Sequence, residues 1–236
     1  ELYSLVEQLV TRRIKLRREM ESAGMDSDNL DELDKITANL QNTAMDMRLI
    51  PLSKIVDTFP RLVRDVARET GKKVNFSVSG SDIELDRTIL TEIRDPLIHI
   101  LRNSVDHGVE PPEEREEKGK AQTGSVSQTA TRERDHVTIE VADDGAGLDK
   151  EMLKDKAIEK GVKTSDELEL MDDEEIYELI FHPGFSTTEE VTDVSGRGVG
   201  MDVVRNTVKQ LDGTVTVDSE LGEGTASGGA TGDVLG

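Results

Sequence analysis

The sequence predicts an α+β protein in which an antiparallel two-helix hairpin precedes an α/β sandwich with one open helical layer. In residues 1–48, apolar side chains recur at the three- and four-residue steps of helices. After residue 49, alternating strand-like segments mix with helical ones, without the regular βαβα rhythm that a Rossmann fold needs. We therefore expect a helical domain over 1–48 and a larger domain over 49–236 of the 236 residues.

The first 48 residues predict two helices. A first helix over 2–23 ends at Gly24, and a second follows the heptad seam from Leu30 to Met47. Because only about five polar residues join them, they must run antiparallel. One hairpin cannot bury both faces, so we expect a homodimer through residues 1–48, forming a four-helix bundle. The alternative is that the hairpin packs on the rest of its own chain.

The larger domain alternates between helix and strand signals. Leu49-Ile50-Pro51 predicts a hinge, because proline moves the preceding residue out of the helical region. The patterns then predict helices over 56–70, 88–105, 150–160, 172–181 and 201–211, and strands over 73–79, 124–131, 136–142 and 214–218.

Net charge, cysteine content and hydropathy exclude several classes of function. With 50 acidic and 29 basic side chains the net charge is −21, which argues against an electrostatic nucleic-acid binder. Zero cysteine excludes disulfides, thiolate zinc sites and thiol nucleophiles. No apolar run has membrane-spanning length and no signal peptide is visible, so we expect a cytoplasmic protein without membrane insertion. Because the first residue is Glu1 rather than Met, we expect a piece of a longer chain.

The acidity lies mainly in the second domain. Residues 1–48 carry 7 basic and 10 acidic side chains, net −3, which leaves −18 for residues 49–236. Such a surface either keeps the protein in solution or adapts it to high salt, where screening removes self-repulsion. Our hypothesis is a salt-loving source.

The helix over 88–105 and the residues after it carry a polar face. At 100° per residue, His99, Asn103, Asp106 and His107 fall within about 100° of one another, opposite an apolar stripe. Oxygen and nitrogen donors one turn apart suit Mg²⁺ held between protein, water and phosphate. The plain alternative is a solvated surface.

Three glycine-containing segments follow. Asp143-Asp144-Gly145-Ala146-Gly147, directly after a strand, predicts either a turn or a carboxylate that accepts a hydrogen bond from a base. Ser195-Gly196-Arg197-Gly198-Val199-Gly200-Met201, which opens a helix, predicts a phosphate cradle or a flexible loop, and is not a Walker loop. Phe181-His182-Pro183-Gly184-Phe185 and the polar run after it predict a lid or an ordinary surface loop.

In this order, the segments resemble the ATP-binding domain of histidine kinases, in the superfamily shared with gyrase and MutL. The resemblance is closest to the CheA family of chemotaxis histidine kinases. It rests on His99 to Gly108 with Glu110-Pro111, on Pro183 to Thr187, and on Val194 to Val204. The fold it implies is the histidine-kinase ATPase type preceded by a dimerising hairpin. The partners it implies are a phospho-accepting histidine domain and, indirectly, response regulators, a coupling adaptor and chemoreceptors in membrane-associated arrays.

The resemblance also implies residue roles. Asp143 would bind the adenine amino group of ATP, and Asn103 would ligate Mg²⁺ with His99 beside the metal and the γ-phosphate. Asp106 and His107 would line the same pocket. Adenine and phosphates would be held by a second set: Gly145, Gly147, Gly196, Gly198, Val199, Gly200, Met201, Thr225, Arg102 and Arg197.

Two features qualify the resemblance. No histidine precedes His99, so the phosphorylated histidine is expected on a separate domain that this chain lacks, along with the coupling domain. After Gly222-Glu223-Gly224-Thr225, the Gly-rich residues 226–236 are poor strand material, so the family's last strand is expected to be missing or replaced. Two other functions stay open: a non-catalytic dimeric scaffold in a receptor array and a gyrase-like ATP-hydrolysing clamp.

Overall fold

The computed structural model of the protein describes residues 2–22, 28–46, 49–133, 136–185 and 200–231. The α-helices are α1 Leu2–Ser22, α2 Asp28–Asp46, α3 Ser53–Val56, α4 Phe59–Glu69, α5 Arg87–Asn103, α6 Pro112–Glu117, α7 Lys150–Glu159, α8 Ser165–Glu169, α9 Asp173–Tyr177 and α10 Met201–Gln210. A π-helical segment, Ser104–Gly108, continues α5, and a 3₁₀ segment, Glu178–Phe181, follows α9. The strands are β1 Leu49–Pro51, β2 Val74–Ser79, β3 Glu84–Asp86, β4 Gly124–Arg132, β5 Val137–Asp143, β6 Thr214–Glu220 and β7 Gly224–Thr231.

The larger domain is built on a five-stranded mixed sheet with the order β2-β4-β5-β7-β6. Strand β2 runs parallel to β4, with Phe76 opposite Val126, and the other neighbours are antiparallel. Buried and less buried residues alternate along β4 and β5, so one face of these strands is covered. This agrees with the predicted sandwich with one open layer.

Helices α4, α5 and α10 cover that face. Phe59 of α4, Leu101 of α5 and Val204 of α10 are fully buried in one apolar cluster with β4 and β5. The predicted apolar stripe of α5 is confirmed, since Leu90, Ile93, Leu97, Leu101 and Val105 all belong to the cluster. A second cluster joins α7, α8 and α9 to Phe181, Phe185 and Val217.

The two predicted N-terminal helices are present as α1 and α2. Asp34 of α2 accepts ion pairs from Arg13 Nε at 3.1 Å and from Arg17 Nη1 at 2.7 Å, which ties the middles of the two helices together. Val6 and Thr37 are buried. Pairing of this hairpin with a second copy stays a prediction. Within the described residues, no helix has both the length and the hydrophobicity needed to cross a bilayer.

Two predictions for the larger domain are wrong. The expected hinge at 49–51 is strand β1, which pairs antiparallel with β3 and places Ile50 opposite Leu85. The last strand is neither missing nor replaced, because β7 lies inside the sheet between β5 and β6. Hydrogen bonding on both sides fixes its backbone, and this outweighs the weak strand propensity of its Ala, Ser and Gly residues.

Candidate functional site

Asp143 ends strand β5 at the centre of the sheet, with Val126 of β4 and Thr225 of β7 as its cross-strand neighbours. Its Oδ1 accepts a hydrogen bond of 3.1 Å from the backbone N–H of Gly145. Burial raises the pKa of Asp143, against hydrogen bonds from the Ser104 side chain and from the Gly145 and Thr225 backbones, which lower it. The site therefore holds a partly buried acceptor whose charge the fold disfavours.

The polar end of α5 is not a continuous α-helix. At Ser104 the chain widens into the π-helical segment, and the backbone N–H of Val109 donates to the carbonyl of Ser104 at 2.8 Å. The 100° spacing used to align Asp106 and His107 with His99 therefore fails after Asn103. Such single π turns are frequent at functional sites because they redirect side chains.

Lys72 stabilises the widened turn. Its Nζ donates to the carbonyl of Val105 at 3.0 Å and to the carbonyl of Asp106. Burial lowers the pKa of Lys72, while the carboxylates of Asp106, Glu114 and Glu110 act in the opposite direction. A cation from the α4–β2 loop thus satisfies carbonyl oxygens in the π-helical segment.

His99 and Asn103 lie against α10. Asn103 Nδ2 is 3.2 Å from Met201 Sδ, at the first residue of that helix. Burial and then the charge of Arg102 lower the pKa of His99, while Asp202 of α10 raises it. Two of the four predicted polar residues are therefore gathered at the start of α10.

Asp106 and His107 are placed differently. His107 Nε2 lies 3.6 Å from Asp106 Oδ2, and the His107 side chain is 67% exposed. The structure thus joins these two residues to each other, on the solvent side of the π-helical segment.

Backbone hydrogen bonds lock three loops around Asp143. The N–H of Ala146 donates to the carbonyl of Gly108 at 2.9 Å, and the carbonyl of Ala146 accepts from Gly222 at 2.7 Å. A Cβ on Gly145 would lie 2.1 Å from the Gly108 carbonyl oxygen. A Cβ on Gly147, which has φ +71°, would lie 2.2 Å from the Glu220 carbonyl oxygen. Both glycines are therefore required for contact between backbones of this chain, a role the sequence did not indicate.

Some of the remaining residues predicted to hold adenine and phosphates lie within the described ranges, and others do not. Gly200 precedes α10 as its N-cap, and Met201 is its first residue. The Thr225 hydroxyl lies 2.9 Å from the Ser219 hydroxyl. The Ser219 hydroxyl also donates a hydrogen bond to the Gly224 carbonyl. Four predicted phosphate-site residues lie outside the described residues: Gly196, Arg197, Gly198 and Val199.

The start of the predicted lid is anchored. Phe181 and Phe185 are buried, and Lys160 Nζ donates to the carbonyls of Gly184 and Phe185, both at 2.8 Å. The rest of the predicted lid, from residue 186 to Asp193, lies outside the described residues.

Sequence reasoning missed an ion cluster behind the Asp143 turn. Arg115 is 1% exposed, and its guanidinium contacts Glu110 Oε2 at 3.2 Å and Asp144 Oδ2 at 2.9 Å. Lys118 and Lys120 also pair with Glu110. Burial raises the pKa of Glu110, but hydrogen bonds from its own backbone N–H and the lysines outweigh this and leave it lowered. The acidic sequence around Arg115 resembles a solvated helix, so no local pattern marks it as buried.

The chain has clear relatives. Residues 92–227 match the family described as histidine kinase-, DNA gyrase B- and HSP90-like ATPases. The chain is 64% identical over 226 residues to the chemotaxis protein CheA of Halobacterium salinarum, and 44% identical over 227 residues to the chemotaxis protein CheA of Bacillus subtilis. Each alignment covers 95% of this chain and 34% of the relative, so the chain spans about a third of their length. Among solved structures, the catalytic domain of histidine kinase ThkA gives a TM-score of 0.49 at 14% identity, covering 78% of this chain and 94% of that one.

Proposed function

The chain belongs to the family of histidine kinase-, DNA gyrase B- and HSP90-like ATPases, and from this premise we propose that it is the ATP-binding core of a chemotaxis histidine kinase. It would transfer the γ-phosphoryl group of Mg-ATP to a histidine on a separate domain. The observation that carries the proposal is the high identity with two CheA proteins along almost the whole chain. The position of Asp143, an acceptor at the end of β5 beside Gly145, supports it independently.

Asp143 is the proposed adenine-binding residue. Its carboxylate stands at the end of β5 with a hydrogen bond from Gly145, and it is only partly buried, so an acceptor oxygen can meet an exocyclic amino group. The loops on either side of the turn are fixed by the Gly108–Ala146 and Ala146–Gly222 hydrogen bonds. A rigid turn of this kind favours binding of a flat base because little ordering is needed on binding.

Asn103 and His99 are the proposed Mg²⁺ residues. Magnesium at phosphate sites keeps several waters and takes only one or two protein ligands, which suits this small donor set. The Asn103 amide nitrogen is occupied by Met201 Sδ, so the side chain would use its oxygen for the metal. When bound, the ion would neutralise charge on the phosphate oxygens.

The phosphates would lie at the start of α10. Gly200 and the first turn of this helix offer backbone N–H groups and the positive end of the helix dipole. We place Gly196, Gly198, Val199 and Arg197 in the same cradle by sequence resemblance, with Arg102 adding positive charge. The contribution of this chain is therefore binding and orientation of the nucleotide for an incoming imidazole.

One experiment separates the proposal from its two rivals. Isothermal titration calorimetry measures Mg-ATP binding, and transfer of ³²P from ATP to an added histidine-bearing domain of a CheA relative measures phosphorylation. We expect both binding and transfer. Absence of ATP binding would favour the scaffold, and binding with hydrolysis but no transfer would favour the clamp.

Asn103→Ala tests the metal assignment. Loss of one preorganised transition-state contact lowers turnover on the order of a hundredfold, so Mg²⁺-dependent transfer in trans should fall by that factor. Asn206→Ala, at an exposed asparagine of α10, is the matched control and should retain turnover. Unchanged turnover in Asn103→Ala would refute the assignment.

We also propose homodimerisation through residues 1–48. Large apolar side chains on both hairpin helices are exposed in the single chain, and a four-helix bundle would bury them: Leu5, Leu9, Ile14, Leu16, Ile36 and Leu40. Sedimentation velocity should give a dimer that Leu9→Asp combined with Leu16→Asp converts to monomer. Asn39→Asp, at an exposed polar position of α2, should leave the dimer intact.

The remaining partner and location assignments are proposals of the same kind. The phospho-accepting domain would meet the nucleotide directly, whereas response regulators, a coupling adaptor and chemoreceptors would be linked to it indirectly. The working location would be the cytoplasmic side of receptor arrays.

A further inference from the structure

We propose that Arg115 is a positioning residue for base recognition, because it holds the Asp143–Gly147 turn from behind through Asp144. This inference rests on the proposed ATP site, and it adds a buried residue that is not itself proposed to contact the nucleotide. Its basis is the set of contacts that one buried guanidinium makes with three separate segments.

Arg115 connects the turn to the body of the domain. Its Nε donates to the Ala121 carbonyl at 2.7 Å, and its Nη1 donates to the Asp144 carbonyl at 3.0 Å. Its Nη2 lies 2.9 Å from Asp144 Oδ2, and Nη1 also contacts Glu110. A planar guanidinium with several donors can fix several acceptors at once, which a flexible ammonium cannot do.

Asp144 is held from both sides by these contacts. Its Oδ1 accepts from the Ser125 backbone at 2.8 Å, while its Oδ2 pairs with Arg115. Lys120 Nζ adds hydrogen bonds to the carbonyls of Asp144 and Gly145, at 3.0 and 2.6 Å. The residue immediately after Asp143 therefore has its side chain and its carbonyl fixed by cations.

The charge arrangement explains why a cation is needed there. Asp143 and Asp144 are adjacent carboxylates, and the charge of Asp144 acts on Asp143. Arg115 neutralises Asp144, and buried Glu110 balances Arg115. Without the guanidinium, Asp144 would lose its charged partner, and the residue next to Asp143 would be held less firmly, which would loosen the direction of the Asp143 carboxylate.

The test compares ADP with inosine diphosphate, which lacks the amino group that Asp143 is proposed to bind. Calorimetry on the folded protein gives Kd for each nucleotide, and the ratio Kd(IDP)/Kd(ADP) measures base recognition. Arg115→Met should raise Kd for ADP about tenfold, the equivalent of roughly one well-placed hydrogen bond. Kd for IDP should change far less, so the ratio should fall.

Two further variants keep the test decisive. Asp144→Asn preserves the buried Glu110–Arg115 pair. Its amide has one acceptor oxygen, so it cannot accept from both Arg115 and Ser125, and it removes the charge that pairs with Arg115. It therefore tests the same idea if Arg115→Met does not fold. Lys118→Met is the matched control, because Lys118 pairs with Glu110 and Glu114 and, within the described part of the chain, does not hydrogen-bond Asp144 or Gly145.

The outcomes are distinct. A lower ratio in Asp144→Asn, with an unchanged ratio in Lys118→Met, supports the inference. A purely structural role would reduce the folded fraction and leave the ratio unchanged, and an unchanged ratio in folded Asp144→Asn overturns the inference while the proposed function stands. If the parent protein binds neither nucleotide, the proposed function fails and this inference fails with it.

Discussion

Asp143 gives the site a charge that the folded state disfavours. Because burial raises its pKa in the folded state, the folded protein binds more protons than the unfolded chain above the usual aspartate range. The contribution of Asp143 to the free energy of unfolding therefore falls as the pH rises above the usual aspartate range. The residue best placed to recognise a base thus lowers the stability of the protein without nucleotide.

Asp143→Asn should consequently stabilise the nucleotide-free protein and abolish tight ADP binding. Urea unfolding at pH 8 should give a higher free energy of unfolding for the variant than for the parent, and the difference should shrink at pH 4. Asp82→Asn, at an exposed carboxylate, is the control. A gain of equal size at both pH values would contradict the argument.

Gln128 is a second residue whose polarity opposes its surroundings. It is fully buried on β4 opposite Val141, and within the described residues neither atom of its amide has a hydrogen-bond partner. Burying an unpaired amide costs about 1–3 kcal/mol. Gln128→Leu should raise the free energy of unfolding by a similar amount, measured by urea titration. Gln122→Leu, at an exposed glutamine, should give no gain.

At this scale local patterns mark some of the proposed site residues. Asp143 comes directly after a predicted strand, and His99 and Asn103 share a helix face, while their roles come from the family resemblance. Arg115 could not be predicted, since its partner Asp144 lies 29 residues away. Nor could Lys72, which reaches the π-helical segment from 33 residues earlier in the chain.

Among the elements, β7 departs most from its intrinsic propensity. Its Gly-rich sequence predicted no strand, yet both edges are paired, to β5 and to β6. Strand β1 is the same case on a smaller scale, because Pro51 suggested a hinge and β3 supplies a partner. Strongly periodic elements such as α5 were predictable, while strands defined by their partners were not.

Two glycines of β7 differ in the space available for a side chain, so replacing each with alanine should change the free energy of unfolding in opposite directions. A Cβ on Gly228 would meet only Thr216 Oγ1, at 3.7 Å, so Gly228→Ala should stabilise the protein by about 0.5–1 kcal/mol through lost unfolded-state entropy. Gly224 has φ +135°, and its Cβ would lie 1.9 Å from the Asp143 carbonyl oxygen. Gly224→Ala should therefore destabilise, and chemical denaturation of both variants measures the contrast. Equal changes would contradict it.

For the whole molecule, charge is the dominant property. The net charge of −21 is carried largely by the domain proposed to bind an anionic nucleotide. Among the cations near the site, Lys72 and the Arg115 cluster are committed to contacts within the protein. Nucleotide affinity therefore depends on local geometry working against a repulsive overall field.

Self-repulsion of this size predicts salt-dependent stability. Screening shortens the range of charge interactions from about 30 Å at 0.01 M to about 3 Å at 1 M salt. Relief of roughly 1–2 kcal/mol would raise the melting temperature by about 5 °C for a chain of this size, and differential scanning calorimetry in KCl measures it.

A charge-reduced variant separates screening from other effects of concentrated KCl. Replacing exposed Glu92, Glu117 and Asp218 by lysine shifts the net charge by six, from −21 to −15, without touching the proposed site. If repulsion limits stability, this variant should melt higher than the parent at low salt and gain less on addition of KCl. Replacing the same residues by Gln, Gln and Asn, which shifts the charge by three, should give an intermediate gain. An identical KCl increment in all three proteins would show that self-repulsion does not set the stability, and would remove the physical basis for the salt-adaptation hypothesis.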